Sequence, residues 1–138
     1  MNDSLIADIL SSTQTIALVG ASDKPDRPSY RVMAFLLDHG YRVIPVSPKV
    51  AGKTLLGQPG YATLAEVPER IDMVDVFRNS AAALEVAREA IAVGAKTLWL
   101  QLGVINHEAE TLAHQAGLQV VMDRCPAIEI PRLGIVRD

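Results

Sequence analysis

Cysteine is almost absent. Cys125 is the single one in 138 residues, which excludes an internal disulfide framework. Positive charge is not in excess either. The formal net charge is −3, so there is no basic field to hold a nucleic-acid backbone, and no nucleic-acid partner is expected. No apolar run approaches the ~20 residues that span a bilayer, so no membrane partner is expected. The opening Met1-Asn2-Asp3-Ser4 lacks the basic region of a secretory signal, which makes a cytoplasmic location the expectation. Internal repeats and low-complexity tracts are also missing. Residues 1–138 are therefore expected to form a single domain. Its composition, 49% apolar and 21% charged, is that of an ordinary globular chain, long enough to bury about two-thirds of its unfolded surface.

Five apolar runs stand out: Ile16–Val19, Tyr41–Val46, Met73–Phe77, Thr97–Leu102 and Leu118–Met122. Each is short enough for a strand and apolar on both faces, as in a parallel sheet covered by helices. Amphipathic stretches fall between most of them. Leu5, Ile6, Ile9 and Leu10 predict a first helix capped by Asp3 or Ser4. Val32, Met33, Leu36 and Leu37 predict a second, capped by Ser29 and stopped by Gly40. Leu84, Ala87 and Ile91 predict a third, begun at Asn79 or Ser80, and Leu112, Ala113 and Ala116 a fourth, capped by Asn106. Thr54 to Tyr61 reads as irregular, and Ile128 to Leu133 as one turn in a tail. Pro45 gives no N–H, so it belongs near a strand end or where no donor is needed. The expected fold is α/β, a three-layer Rossmann-like domain with a five-stranded parallel sheet. The expected strand order is 3-2-1-4-5, with the first strand at the switch point.

In such a sheet, ligands sit above the C-terminal strand ends. The first strand runs into Gly20-Ala21-Ser22, and a polar loop containing Arg27 follows. A strand, a tight loop and a helix start present backbone N–H groups to an anion. This is not the dinucleotide fingerprint, because Ser22 stands where a second glycine is expected and no third glycine precedes the helix. The second strand ends in Ser47-Pro48-Lys49. An NAD site usually has an acid there for the ribose. A lysine in its place suits a ligand with extra phosphate, either NADP or coenzyme A. Arg78 follows Phe77 and precedes Asn79. Its fork matches phosphate oxygens, and a pairing with Asp75 is the alternative. Gln101 is a polar residue on an apolar strand and needs a partner. Trp99, on the same strand, reads as core. Glu66, Glu69 and Asp72 read as solvated surface.

Ala17-Leu-Val-Gly-Ala-Ser22, Tyr41-Arg-Val-Ile-Pro-Val46, Asp75-Val-Phe-Arg78, Leu98-Trp-Leu-Gln-Leu-Gly103 and Val121-Met-Asp-Arg-Cys125 together resemble the small single-domain coenzyme A-binding proteins. That family is akin to the N-terminal domain of the succinyl-CoA synthetase α subunit. The resemblance implies coenzyme A or a short acyl-CoA as ligand, without assigning a reaction. It also implies that Gly20, Ala21 and Ser22 hold phosphate. Pro48 and Lys49, beside Ser47, would flank the adenosine, and Phe77, Arg78 and Asn79 would line the crevice, with Gln101 and Gly103 as further contacts.

No catalytic constellation or metal site is read in the sequence. His39 suits a helix C-terminus, and His107 and His114 lie two turns apart, too far to share an ion. The synthetase's active-site histidine lies in a second domain with no counterpart here. Cys125 is the remaining candidate for chemistry. It would exchange with the coenzyme A thiol if it faces the ligand, and Arg124 would favour its thiolate if both side chains point the same way. Two other readings stand beside a coenzyme A-binding module. One is an NADP-dependent oxidoreductase-like domain, for which Tyr30 and Tyr61 are the obvious candidate groups. The other is a nucleotide-sensing regulatory protein with a protein partner, which an apolar tail surface over 128–136 would favour.

Overall fold

In the computed structural model, which describes residues 2–136, β-strands alternate with helices as the apolar runs predict. The order is α1 (Asp3–Ser12), β1 (Thr15–Val19), α2 (Pro28–Asp38), β2 (Arg42–Val46), β3 (Thr54–Leu55), β4 (Gln58–Pro59), β5 (Met73–Val76), α3 (Ala83–Ala92), β6 (Thr97–Leu100), α4 (His107–Gln115), β7 (Gln119–Val121) and α5 (Pro126–Arg132). Short 3₁₀ turns at Leu64–Glu66 and Ser80–Ala82 precede β5 and α3. Five strands form one parallel sheet, and β3 and β4 form a separate antiparallel hairpin. That hairpin lies in the stretch expected to be irregular, and α5 is longer than the single turn expected in the tail.

Side chains alternate across the sheet, so each face has its own core. Ile16, Leu18, Met73 and Trp99 pack with Ile9, Met33, Leu36 and Ile130 of α1, α2 and α5. Ala17, Val74, Val76 and Leu98 pack with Val86, Ala90, Ala109 and Ala113 of α3 and α4. The result is the three-layer α/β arrangement.

The strand order corrects the expectation. The sheet runs β2-β1-β5-β6-β7, so the third long strand lies beside the first and not outside the second. In the count used above, the order is 2-1-3-4-5 and not 3-2-1-4-5. Pro45 gives the physical reason. Its carbonyl accepts from Tyr61 N–H on the outer edge of β2 (3.1 Å). A residue's N and carbonyl point to the same side of a strand, so the proline nitrogen also faces that edge, where a partner strand would need a donor. β2 therefore suits an edge. By contrast, all four residues of β5 are buried, whereas Arg42 of β2 and Gln119 of β7 are exposed. The loop after β1 stays at the switch point, which now lies between β1 and β5.

Two cap expectations also change. Asn2 caps α1, its Oδ1 accepting from Leu5 N–H (2.8 Å). Arg27 precedes α2 without a side-chain cap bond, and Pro28 opens the helix, where its missing N–H costs nothing. Ser29 lies inside that helix and is buried. Asn79 and Asn106 do cap, accepting from Ala82 N–H and Ala109 N–H (2.9 Å each). His39 closes α2, with Nδ1 2.8 Å from Phe35 O. Asp72 is not simply a solvated acid: it accepts from the N–H groups of Gln14 (3.1 Å) and Thr15 (2.9 Å) and pairs with Lys96. Glu69 forks onto Arg42. No helix of the described residues is long and apolar enough to cross a membrane.

Candidate functional site

A cavity of about 1110 Å³ opens above the C-terminal strand ends. The sheet creates it. Leaving β1, the chain turns at Gly20, whose N–H donates to Val46 O (2.9 Å) and straps the first loop to β2. Phe77 N–H donates to Val19 O (2.8 Å) and holds the end of β5 against the same loop. A Cβ on Gly20 would stand 2.3 Å from Phe77 O, and the residue has φ +92°. Only glycine permits this approach.

Most of the residues read from the sequence converge here. Gly20, Ala21, Ser22 and Arg27 line one wall, and Ser47, Pro48 and Lys49 the wall beside it. Phe77, Arg78 and Gln101 continue the lining along the sheet edge. Asn79 and Gly103 do not line the cavity. They build its rim: Asn79 caps the turn before α3, and Gly103 N–H donates to Asp123 Oδ1 (2.7 Å). Ser80 Oγ accepts from Ile105 N–H (3.0 Å) and ties the loop after β6 to that turn.

The lining is built for an anion. Arg27, Lys49 and Arg78 form no ion pair among the described residues. The N–H groups of Ser22, Asp23 and Ser29 find no protein acceptor among them either. Those at the first turn of α2 carry the positive end of its dipole. Ser29 lines the cavity and is only 6% exposed, yet its hydroxyl has no protein partner among the described residues. Buried polar groups in that condition usually await a ligand or water.

Sequence reasoning missed Ser29, Glu85 and Glu89 as lining residues. Ser29 was legible only as a cap. The two glutamates sit one turn apart on α3, and nothing local marks them as facing a crevice. Burial, followed by the neighbouring Glu85 charge, raises the Glu89 carboxyl, and Arg78 partly offsets this. Acids on this wall repel phosphate, so the phosphate-bearing end of an occupant is favoured toward Arg27 and Lys49.

Below the cavity, Asp75 is fully buried in the centre of the sheet. Its partner is Gln101 and not Arg78. With its amide nitrogen turned toward the carboxyl, Gln101 reaches the two oxygens at 2.9 and 3.3 Å. Burial pushes Asp75 well above the usual carboxylate range. The folded state thus keeps a proton that the unfolded chain releases near about pH 4, and stability falls as pH rises beyond that point. Asp75→Asn retains an acceptor for Gln101 and removes the titration. Its melting temperature is expected to exceed that of the parent above about pH 6 and to converge with it below about pH 4. Thermal unfolding across pH checks this, and a constant difference at every pH would contradict it. Arg124 pairs with Glu129 of α5 (3.0 Å).

The CoA binding domain family matches residues 14–131. YneT of Bacillus subtilis (strain 168) is 39% identical over 120 residues, 87% of each chain. A solved Pyrococcus horikoshii OT3 protein superposes with a TM-score of 0.92 at 41% identity, covering 98% of this chain and 94% of that one. A Thermus thermophilus structure gives 0.91 at 39%, covering 96% and 99%. The fold also occurs within the dinucleotide-forming acetyl-coenzyme A synthetase 1 of Ca. Korarchaeum cryptofilum, with a TM-score of 0.72 and 28% identity over 84% of this chain but only 27% of that one. On the strength of that match along most of its length, the chain belongs to the CoA-binding domain family.

Proposed function

We propose that this chain binds coenzyme A or a short acyl-CoA in the crevice, as a single binding module related to the N-terminal domain of the succinyl-CoA synthetase α subunit. One observation carries the reading. In a member of this family, three unpaired cations, the free N–H groups and an unpartnered buried serine surround one cavity at the switch point, as counted among the described residues. The pyrophosphate lies over the Gly20–Ser22 loop and the first turn of α2, within reach of Ser29 and Arg27. Lys49, at the end of β2, takes the ribose phosphate. Arg78 bridges the middle of the crevice, and the uncharged pantetheine arm runs along the wall that carries Glu85 and Glu89. No reaction is assigned to the module.

Calorimetric titration of ligand-stripped protein with coenzyme A, acetyl-CoA, NADP and NAD tests this. Coenzyme A and acetyl-CoA are expected to bind. Arg78→Ala is expected to weaken both by about 10- to 100-fold, the size of one lost charge-assisted hydrogen bond. Binding of NADP alone would replace this reading with the oxidoreductase one.

A further inference from the structure

We propose that the far end of the crevice, where the loop after β6 meets the start of α5, is an acyl subsite for a short, uncharged acyl chain carried on coenzyme A. It favours such a thioester over free coenzyme A and over an acyl chain that ends in a carboxylate. The inference rests on the coenzyme A reading and deepens it by naming the class of thioester.

The cavity lining changes character along the sheet. Its three cations, Arg27, Lys49 and Arg78, follow β1, β2 and β5. From the ends of β6 and β7 it receives only Gln101, Leu102, Val104 and Cys125, none of them a charged residue type. The remaining charged lining residues are the acids Glu85 and Glu89 of α3. They oppose a carboxylate, and no cation from the β6 or β7 end offsets them.

This end also exposes apolar surface. Among the described residues, the large apolar side chains left exposed are Leu102, Ile105, Ile128 and Val136. The first two lie in the loop after β6, and Ile128 lies in the first turn of α5, which follows β7. Leu102 lines the cavity and is 56% exposed. One exposed leucine is ordinary, but this one is fixed in place. Gly103 N–H donates to Asp123 Oδ1, Val104 N–H to Gln101 O (2.9 Å) and Ile105 N–H to Ser80 Oγ. Asp123, which supplies the first of these tethers, has φ +61°, a conformation uncommon for a residue with a Cβ. The loop is therefore pre-organised with an apolar side chain at the edge of the cavity.

The dimensions agree. From β1, where the pyrophosphate sits, the sheet continues through β5 and β6 to β7. At ~4.8 Å per strand, β6 lies about 10 Å away and β7 about 14 Å. The pantetheine arm has about twelve bonds from phosphate ester to sulfur. It equals roughly four residues of extended chain, at most about 14 Å. An arm laid along the strand ends therefore carries its sulfur to β6 or just beyond. The acyl group on that sulfur then lies between Leu102 and Val104 on one side and Cys125 on the other.

Calorimetric titration with coenzyme A, acetyl-CoA, butyryl-CoA and succinyl-CoA tests this. Butyryl and succinyl groups have the same chain length and differ in ending with a methyl or a carboxylate. A buried methylene is worth about fourfold in affinity. Butyryl-CoA is therefore expected to bind about tenfold tighter than acetyl-CoA, and more tightly still than coenzyme A. Succinyl-CoA is expected to bind at least about tenfold more weakly than butyryl-CoA. Leu102→Asn alters an exposed position and leaves the core untouched. It is expected to cut the butyryl-to-acetyl affinity ratio to about threefold or less. If coenzyme A and acetyl-CoA bind but butyryl-CoA binds no tighter than acetyl-CoA, the acyl subsite is overturned and the binding function stands. Equal affinity for succinyl-CoA and butyryl-CoA, or an unchanged ratio in the variant, overturns it in the same way. If neither coenzyme A nor any thioester binds, the binding function itself falls, and the acyl subsite falls with it.

Discussion

Gly20→Ala is expected to cost about 3 kcal/mol or more and to lower the melting temperature by more than about 10 °C. Two effects combine. The residue has φ +92°, and its Cβ would stand 2.3 Å from the Phe77 carbonyl oxygen, which belongs to backbone and cannot swing away. Relief requires β1 and β5 to part at the point where Phe77 N–H meets Val19 O. Gly94→Ala is the matched control. Gly94 has φ +75°, but a Cβ there would meet nothing within 4 Å, so only backbone strain applies, about 1 kcal/mol. Thermal melts of the two variants separate clash from strain. Equal losses would show that the close approach to Phe77 is not what demands glycine. On the proposed reading the Gly20 variant should also lose coenzyme A affinity, because the same loop would offer its N–H groups to the phosphates.

Trp99→Ala is expected to be at least as damaging, at about 3–5 kcal/mol. That is a large share of the roughly 5–15 kcal/mol that stabilises a typical domain. Trp99 is completely buried on the face covered by α1, α2 and α5. Its removal opens a cavity there and leaves the Arg124 carbonyl without its indole donor. Denaturant unfolding followed by circular dichroism measures the loss. Trp99→Phe keeps most of the packing and deletes the hydrogen bond. A smaller loss of stability is expected there, together with faster labelling of Cys125 by a thiol reagent, because the segment holding the thiol loses its tether. Unchanged labelling would show that the indole does not position Cys125.

Much of this organisation is legible in the sequence. Strand runs such as Ile16–Val19 and Met73–Val76 are apolar on both faces, the pattern that burial between two helical layers demands. Residues that end strands are legible as site residues because a parallel sheet gathers its C-terminal loops at one edge, which is how Gly20, Lys49, Arg78 and Gln101 come together. Strand order is harder to read. Alternation of strands and helices is the same whether the third long strand docks beside β2 or beside β1. The distinguishing mark is Pro45, whose missing donor argues for an edge, but one proline does not say which edge. Ser29 and Glu89 are not legible because what exposes them to the crevice is where α2 and α3 lie in space. Asp75 is recognisable as an acid near Arg78 in the chain. Its actual partner, Gln101, comes from the neighbouring strand, and cross-strand neighbours follow from a register that local sequence does not carry.

The edge position of β2 has a consequence for how this protein can meet other chains. An unpaired strand edge is a template on which a second polypeptide can add by main-chain hydrogen bonding, the route to β-aggregation and strand exchange. Here Pro45 removes a donor from one edge, and Tyr61 occupies part of the remainder through its N–H to Pro45 O and its carbonyl to Ser47 N–H. The opposite edge is β7, only three residues long. Neither margin offers the long run of free donors and acceptors that a templated strand requires. Strand addition is therefore closed to a second chain at both margins, and any association would have to use side-chain surfaces instead.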